Sequence, residues 1–372
     1  MVIYFLNMGK MKSNQLLNEV YLLKVQEQRD YNMLFNMISG LPLYVANYIK
    51  YKLNENVSPS TLLEYVRDFN RFFEWITLHK DTVYSFSDIT IELLQQLNVD
   101  DIYKFIDDLM AERNLVERSI SRKVHSLRSL FNYLHDIAEN DDGTPLLMYN
   151  VFRKIKMKRV SDVQSTARSI QSNVLQANEI QDFICFVREG FRLKLADNLQ
   201  AIWNYDLNVH RDTCIVSLLL NSGLLVSDIV NLNVKDISLH RHQVSIVRQR
   251  SKSRTSHIVH FTSSAQTDLE RYLSIREEIY KPQNDEPALF LSLPNGKTYG
   301  SRMTKRGIQA MVIKYRVHFG MPNLTTRQLA HSFGIEHIRN SNIVQTKHQL
   351  AQRSIEATEK YQYLSEKSSD KY

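Results

Sequence analysis

The side chains best suited to chemistry lie in the C-terminal half of the 372-residue chain. Tyr361 sits in HQLAQRSIEATEKYQYL (His348–Leu364), Arg327 and His331 in TTRQLAHSFG (Thr325–Gly334), and Arg248, Arg250, Lys252 and Arg254 in the run VRQRSKSRT. A tyrosine hydroxyl is a nucleophile once a base or nearby cations activate it, and clustered Arg and Lys suit an anionic substrate. Left alone, with a pKa near ~10, it is a poor nucleophile at neutral pH. With 19 tyrosines in the chain, residue type alone singles out none of them; Tyr363 is the neighbouring alternative. Two cysteines, Cys185 and Cys214, are too few for a metal site and read as buried structural thiols of a reducing compartment. No His/Cys cluster has zinc spacing, and His240–His242 reads as a surface loop, so neither a metal nor another cofactor is expected.

Hydrophobic content of 43% with 23% charged residues is that of a globular protein with enough chain for two domains. No run approaches the roughly 18 apolar residues of a membrane span. The opening MVIYFL is too short for a signal peptide, and Met8 or Met11 could equally start translation, so a cytoplasmic location is expected. The net charge of +7 fits an anionic partner. Its distribution says more: Val151–Ser169 carries six Lys/Arg against one Asp, a pattern shared by solvated linkers and by linkers that touch DNA.

Only 10 Gly and 7 Pro point to a largely helical protein. In SPSTLLEYVRDFNRFFEWI, Ser58 or Ser60 caps a helix whose stripe is Leu62, Tyr65, Phe69, Phe72, Phe73 and Ile76. A later helix places Val124, Leu127, Leu130, Phe131 and Leu134 on one face, and Glu139–Pro145 ends this helical block as a turn. Beyond the basic stretch, HRDTCIVSLLLNSGLL reads as a helix ending at Gly223. QVSIVRQRSKSRTSHIVHFT reads as two strands around a basic turn, and ALFLSL as a short strand. The expected organisation is an N-terminal arm (1–34), a helical domain (35–150), a basic linker (151–172) and a mostly helical domain with a small sheet (173–372). The fold class is mainly α, with an α+β second domain.

The order and spacing of SGLLVSDIVNLNVKDISL (Ser222–Leu239), TTRQLAHSFG and HQLAQRSIEATEKYQYL resemble the catalytic domain of the tyrosine recombinase (phage integrase) family. LPLYVANYIKYKL, SPSTLLEYVRDFNRFFEWI and ENDDGTP resemble the SAM-like core-binding domain of its longer-armed Xer-type members, so the likeness covers about residues 35–372. The resemblance implies a three-stranded sheet, no metal, and a tyrosine that attacks a DNA phosphodiester to leave a 3′-phosphotyrosyl bond. Two arginines would fork onto the phosphate oxygens, a hairpin lysine would protonate the leaving oxygen, and two histidines would assist. The nucleophile position falls on Tyr361. The two arginine positions fall on Leu225 and Ala330, the lysine position on Gln249, and the histidine positions on Arg327 and Gln352. Lys252 serves as the acid if the turn is offset; Arg327 and His331 retain possible residual roles.

The resemblance also marks the segments expected to face double-stranded DNA. These carry Arg118, Arg122, Lys123 and Arg128; Lys154, Lys156, Lys158 and Arg159; Arg248, Arg250 and Arg254; and Arg302, Lys305 and Arg306. The expected function is a DNA-binding recombinase relative with an impaired site, acting as an accessory or regulator. An active recombinase, or a second copy on the DNA, would be its partner. The alternative is a working enzyme that cuts and rejoins DNA through Tyr361, Arg327, Lys252 and His331.

Overall fold

In the computed structural model the chain divides into two units, residues 1–160 and 161–372. The structure describes residues 25–80, 83–113, 117–157, 167–168, 170–171, 173–250, 253–283, 286–294 and 299–369. Lys158, Arg159 and Lys252 lie outside these residues, as do the side chains of Arg118, Gln249, Arg250 and Arg254.

The first unit contains six helices among the described residues: α1 (Val25–Ile38), α2 (Leu43–Asn54), α3 (Pro59–His79), α4 (Ile91–Gln95), α5 (Val99–Arg113) and α6 (Glu117–Asp136). Ser58 caps α3 by accepting from the Thr61 N–H, and Pro59 follows it at the first helical position, where a missing N–H costs nothing. The α3 stripe is buried except for Tyr65, which is half-buried, and Phe72 stands edge-on to Phe105, Phe131 and Phe152. The α6 face expected from the sequence is buried in the same core. The segment 139–145 closes on itself through a Glu139–Pro145 bridge, with Gly143 at φ 78°.

In the second unit, helical residues at 167–168 and 170–171 precede α7 (Ala177–Arg188) and α8 (Leu199–Ser222), followed by α9 (Val226–Asn231). Strands β1 (Ile237–Ser238), β2 (Gln243–Arg250) and β3 (Ser253–His260) form an antiparallel sheet in the order β1-β2-β3. Then come α10 (Ser263–Tyr280), α11 (Lys305–Phe319), α12 (Thr326–Arg339), α13 (Ile343–Gln349) and α14 (Glu356–Ser369). Helix α8 is the central element, buried without a break from Arg211 to Leu220. It stops at Gly223, which takes the left-handed φ of 72° that ends helices. The buried charge on α8 is satisfied locally: Asp212 accepts from Arg211 and from the Tyr315 hydroxyl at 2.8 Å.

Two expectations need correction. Cys214 is buried, but Cys185 is exposed. On α7 the buried positions are Phe183, Ile184 and Val187, and the 100° advance per residue puts position 185 away from that stripe. ALFLSL (Ala288–Leu293) forms no strand; its backbone pairs with neighbouring segments as the single bridges Asn233–Ala288 and Leu291–Arg302. Its carbonyls are taken by side chains instead. Arg276 donates to Ala288 at 2.6 Å, Tyr272 to Leu289 at 2.9 Å and Arg211 to Leu291 at 3.0 Å. The third strand of the sheet is the two-residue β1.

Candidate active site

Tyr361 lies on α14 with only 3% of its surface exposed, among Ile335, Ile338, Leu350 and Leu364. Its ring fits against α12 because position 334 is glycine: a Cβ there would come 2.9 Å from a Tyr361 ring carbon, closer than packed carbons sit. The hydroxyl meets Nδ1 of His331 at 2.8 Å and is hydrogen-bonded by the Gln352 side chain. Gln352 is held in turn by the Thr358 hydroxyl, which donates to its Oε1 at 2.7 Å. Lys360 carries its ammonium 5.0 Å from the centre of the Tyr361 ring.

Burial pushes the Tyr361 hydroxyl well above the ordinary tyrosine range, while the charge of Arg327 and the Gln352 hydrogen bond pull the other way. Burial also pushes His331 down to about 3, with Lys360 and Arg327 adding to the effect. His331 is therefore the neutral imidazole at physiological pH, able to exchange a proton with Tyr361 only as a weak base. Arg327 stands exposed in the first turn of α12, one turn from Ala330, which is 3% exposed.

Leu225 occupies the N-cap position of α9 and is 38% exposed. Its backbone N–H donates to Asp228 Oδ2 at 2.9 Å. The same carboxylate receives Arg248 from β2, through Nη2 at 2.7 Å and Nε at 3.3 Å. The far side of that guanidinium, Nη1, donates to the Leu350 and Ala351 carbonyls at 2.8 and 2.9 Å. Arg248 thus ties the start of α9 to the hairpin and to the loop that presents Gln352. Gln349 adds a second tie, donating to the carbonyls of Ser222 (2.9 Å) and His260 (2.7 Å). The register pairs Gln249 with Arg254 and Arg250 with Ser253 at the hairpin end.

These elements, in this order, match proteins already described. The Phage integrase family matches residues 192–368, and the N-terminal SAM-like domain of phage integrases matches residues 45–136. Tyrosine recombinase XerS of Streptococcus mutans serotype c is 31% identical over 337 residues, 87% of this chain and 92% of that protein. XerS of Streptococcus pyogenes serotype M5 is 29% identical over the same shares of each. The chain belongs to the tyrosine recombinase (phage integrase) family. Among solved structures, the XerH site-specific recombinase bound to a palindromic difH substrate matches with a TM-score of 0.63 and 15% identity. That match covers 95% of this chain and 91% of the other, a likeness of fold.

The cations expected to face DNA divide by what they already hold. Arg128 donates to the Phe152 and Ile155 carbonyls, and Arg302 to the Val230 and Leu232 carbonyls and to Asn233 Oδ1 at 2.6 Å. With Arg248, these act as internal staples. Arg122 and Lys123 reach Asp68. Lys154, Lys156, Lys305 and Arg306 are exposed, Lys154 with its ammonium 5.2 Å from the Tyr149 ring. Asp68 in the first unit, and Asp228 and Gln349 in the second, each organise contacts within their own unit that the sequence did not reveal. The one local signal was Asp68, a charge set inside an apolar helical stripe.

Proposed function

We propose that this recombinase relative binds duplex DNA at a recombination-type site as an accessory or regulator, with strand cleavage through Tyr361 impaired. The observation that carries the reading is the chemistry of positions 225 and 330, a leucine and a buried alanine. Neither can donate a hydrogen bond to the oxygens of a phosphodiester, where charge gathers in the transition state. Loss of one preorganised donor costs about 10²–10³ in rate, and losses within one catalytic unit do not simply multiply. A hydroxyl whose pKa burial has raised adds to the deficit. Binding is less affected, since phosphate contacts are many and interchangeable. Lys154, Lys156, Lys305 and Arg306 are exposed and can reach them. That lambda integrase and the XerH recombinase are described on their DNA sites supports the duplex as ligand.

The deciding experiment uses a nicked duplex built on the sequence that the protein itself enriches from a randomised pool. Binding without a covalent protein–DNA band is the expected result. A second reading, a rewired enzyme using Tyr361, Arg327, Lys252 and His331, is favoured by the 2.8 Å contact between His331 and the Tyr361 hydroxyl. It requires a covalent band from the unmodified protein, lost in Tyr361→Phe.

A further inference from the structure

Asp68 is a carboxylate whose side chain has no exposed surface, on α3 beside the core residues Phe69 and Phe72. A charge in that place must be paired, and α6 supplies the partners. Ser126 Oγ, itself buried, donates at 2.9 Å from the inner side. Lys123 Nζ donates at 2.9 Å, and Arg122 closes a fork with Nη1 at 2.8 Å and Nη2 at 3.0 Å. The side chain of Arg122 nevertheless remains 44% exposed. Glu64 Oε2 makes a longer ion pair with Arg122 Nη2 at 3.9 Å and is also paired with Arg67.

Arg67, Arg122 and Lys123 stand against Glu64 and Asp68, three cations to two anions, so the cluster keeps a net positive rim. A guanidinium has five N–H donors, and the fork on Asp68 uses two. The Nε hydrogen and one hydrogen on each Nη remain unspent by Asp68. An exposed arginine normally samples many rotamers, and holding it still costs up to about 2 kcal/mol of side-chain entropy. Here the buried carboxylate holds it before any partner arrives. A phosphate can accept the same fork but carries no sequence information, so its contact is alike at every position. A base edge, with its two acceptors at fixed spacing, gains a great deal from a guanidinium fixed in direction.

We infer that Arg122, braced by Asp68, is a specificity-determining residue that forks onto the O6/N7 edge of a guanine in the major groove, with Asp68 as its positioning residue. This rests on the DNA-binding reading above.

The test is selection from a randomised duplex pool by wild type, Arg122→Lys and Asp68→Asn, with affinity for a scrambled duplex of equal length measured alongside. Wild type should enrich a guanine at a defined position. Arg122→Lys keeps the charge and should lose that preference by at least about fivefold, with scrambled-duplex affinity within about twofold. Asp68→Asn makes the rim more positive. It should bind scrambled duplex at least as tightly as wild type while losing the same preference, a split that mere loss of structure would not produce. If Asp68→Asn fails to fold by circular dichroism, Arg122→Lys decides alone, since Lys123 and Ser126 still satisfy the carboxylate. An unchanged base preference in Arg122→Lys, or a loss spread evenly over all sequences as for a phosphate contact, overturns the inference and leaves DNA binding standing. Absence of duplex binding by wild type removes both.

Discussion

Replacing Arg248 by methionine tests how the candidate site is held together. The change keeps an unbranched apolar stem and deletes the guanidinium. Four hydrogen bonds go with it: two to Asp228 and one each to the Leu350 and Ala351 carbonyls. The Asp228 side chain is 6% exposed and that of Arg248 20%, so the pair is largely desolvated. Removing one partner of a buried pair costs about 3–5 kcal/mol. Asp228 keeps the Leu225 N–H at 2.9 Å, and water can reach the rim, which places the loss near the lower end, about 3 kcal/mol. For a unit of this size that is roughly 6–12 °C in melting temperature, readable by calorimetry. Arg248→Met combined with Asp228→Leu should cost less than the sum of the single changes, because the uncompensated charge goes too. The Leu350–Ala351 loop leads directly into Gln352, so the single change should also expose Tyr361 to nitration by tetranitromethane, mapped by mass spectrometry. A melting shift below about 2 °C with Tyr361 still protected would refute the account of Arg248 as the tie.

Acid should destabilise the second unit through His331. Its folded pKa of about 3 lies below the unfolded value, so the unfolded chain binds more protons between about 6.5 and 3 and stability is lost as pH falls through that window. By pH 5 the loss is about 2 kcal/mol, and urea titrations of His331→Gln should show a flatter dependence than wild type; parallel curves would contradict it. Restoring Leu225→Arg and Ala330→Arg together should not produce a phosphotyrosyl band. Adding Gln249→Lys and Arg327→His should yield trace cleavage through Tyr361, and a strong band from the first pair alone would show that the acid is dispensable. Crowding is to be expected at buried Ala330 rather than at Leu225, which has open surface. Duplex affinity should fall steeply with salt, and Lys305→Ala with Arg306→Ala should reduce the logarithmic slope by about 1–2 without lowering the melting temperature. Arg302→Ala should instead lower the melting temperature, since its guanidinium holds the Val230 and Leu232 carbonyls.

Helix positions, the α3 and α6 core faces, the stop at Gly223 and the β2–β3 hairpin were all legible along the chain, because caps and apolar periodicity act over a few residues. The family likeness was legible for a similar reason, as three stretches in order with Tyr361 in the last. The uses of the charges were not. Arg122 and Arg248 look alike in the sequence as exposed cations of a basic surface. In the folded chain one is forked onto a carboxylate 54 positions away and still half in solvent. The other joins Asp228, 20 positions back, to the Leu350 carbonyl, 102 positions on. Long-range pairing depends on which helix faces close over which carboxylate, and no local pattern encodes that. The same holds for Tyr361: the sequence supplies the hydroxyl, but only packing against Gly334, His331 and Gln352 decides that it is buried and its proton tightly held.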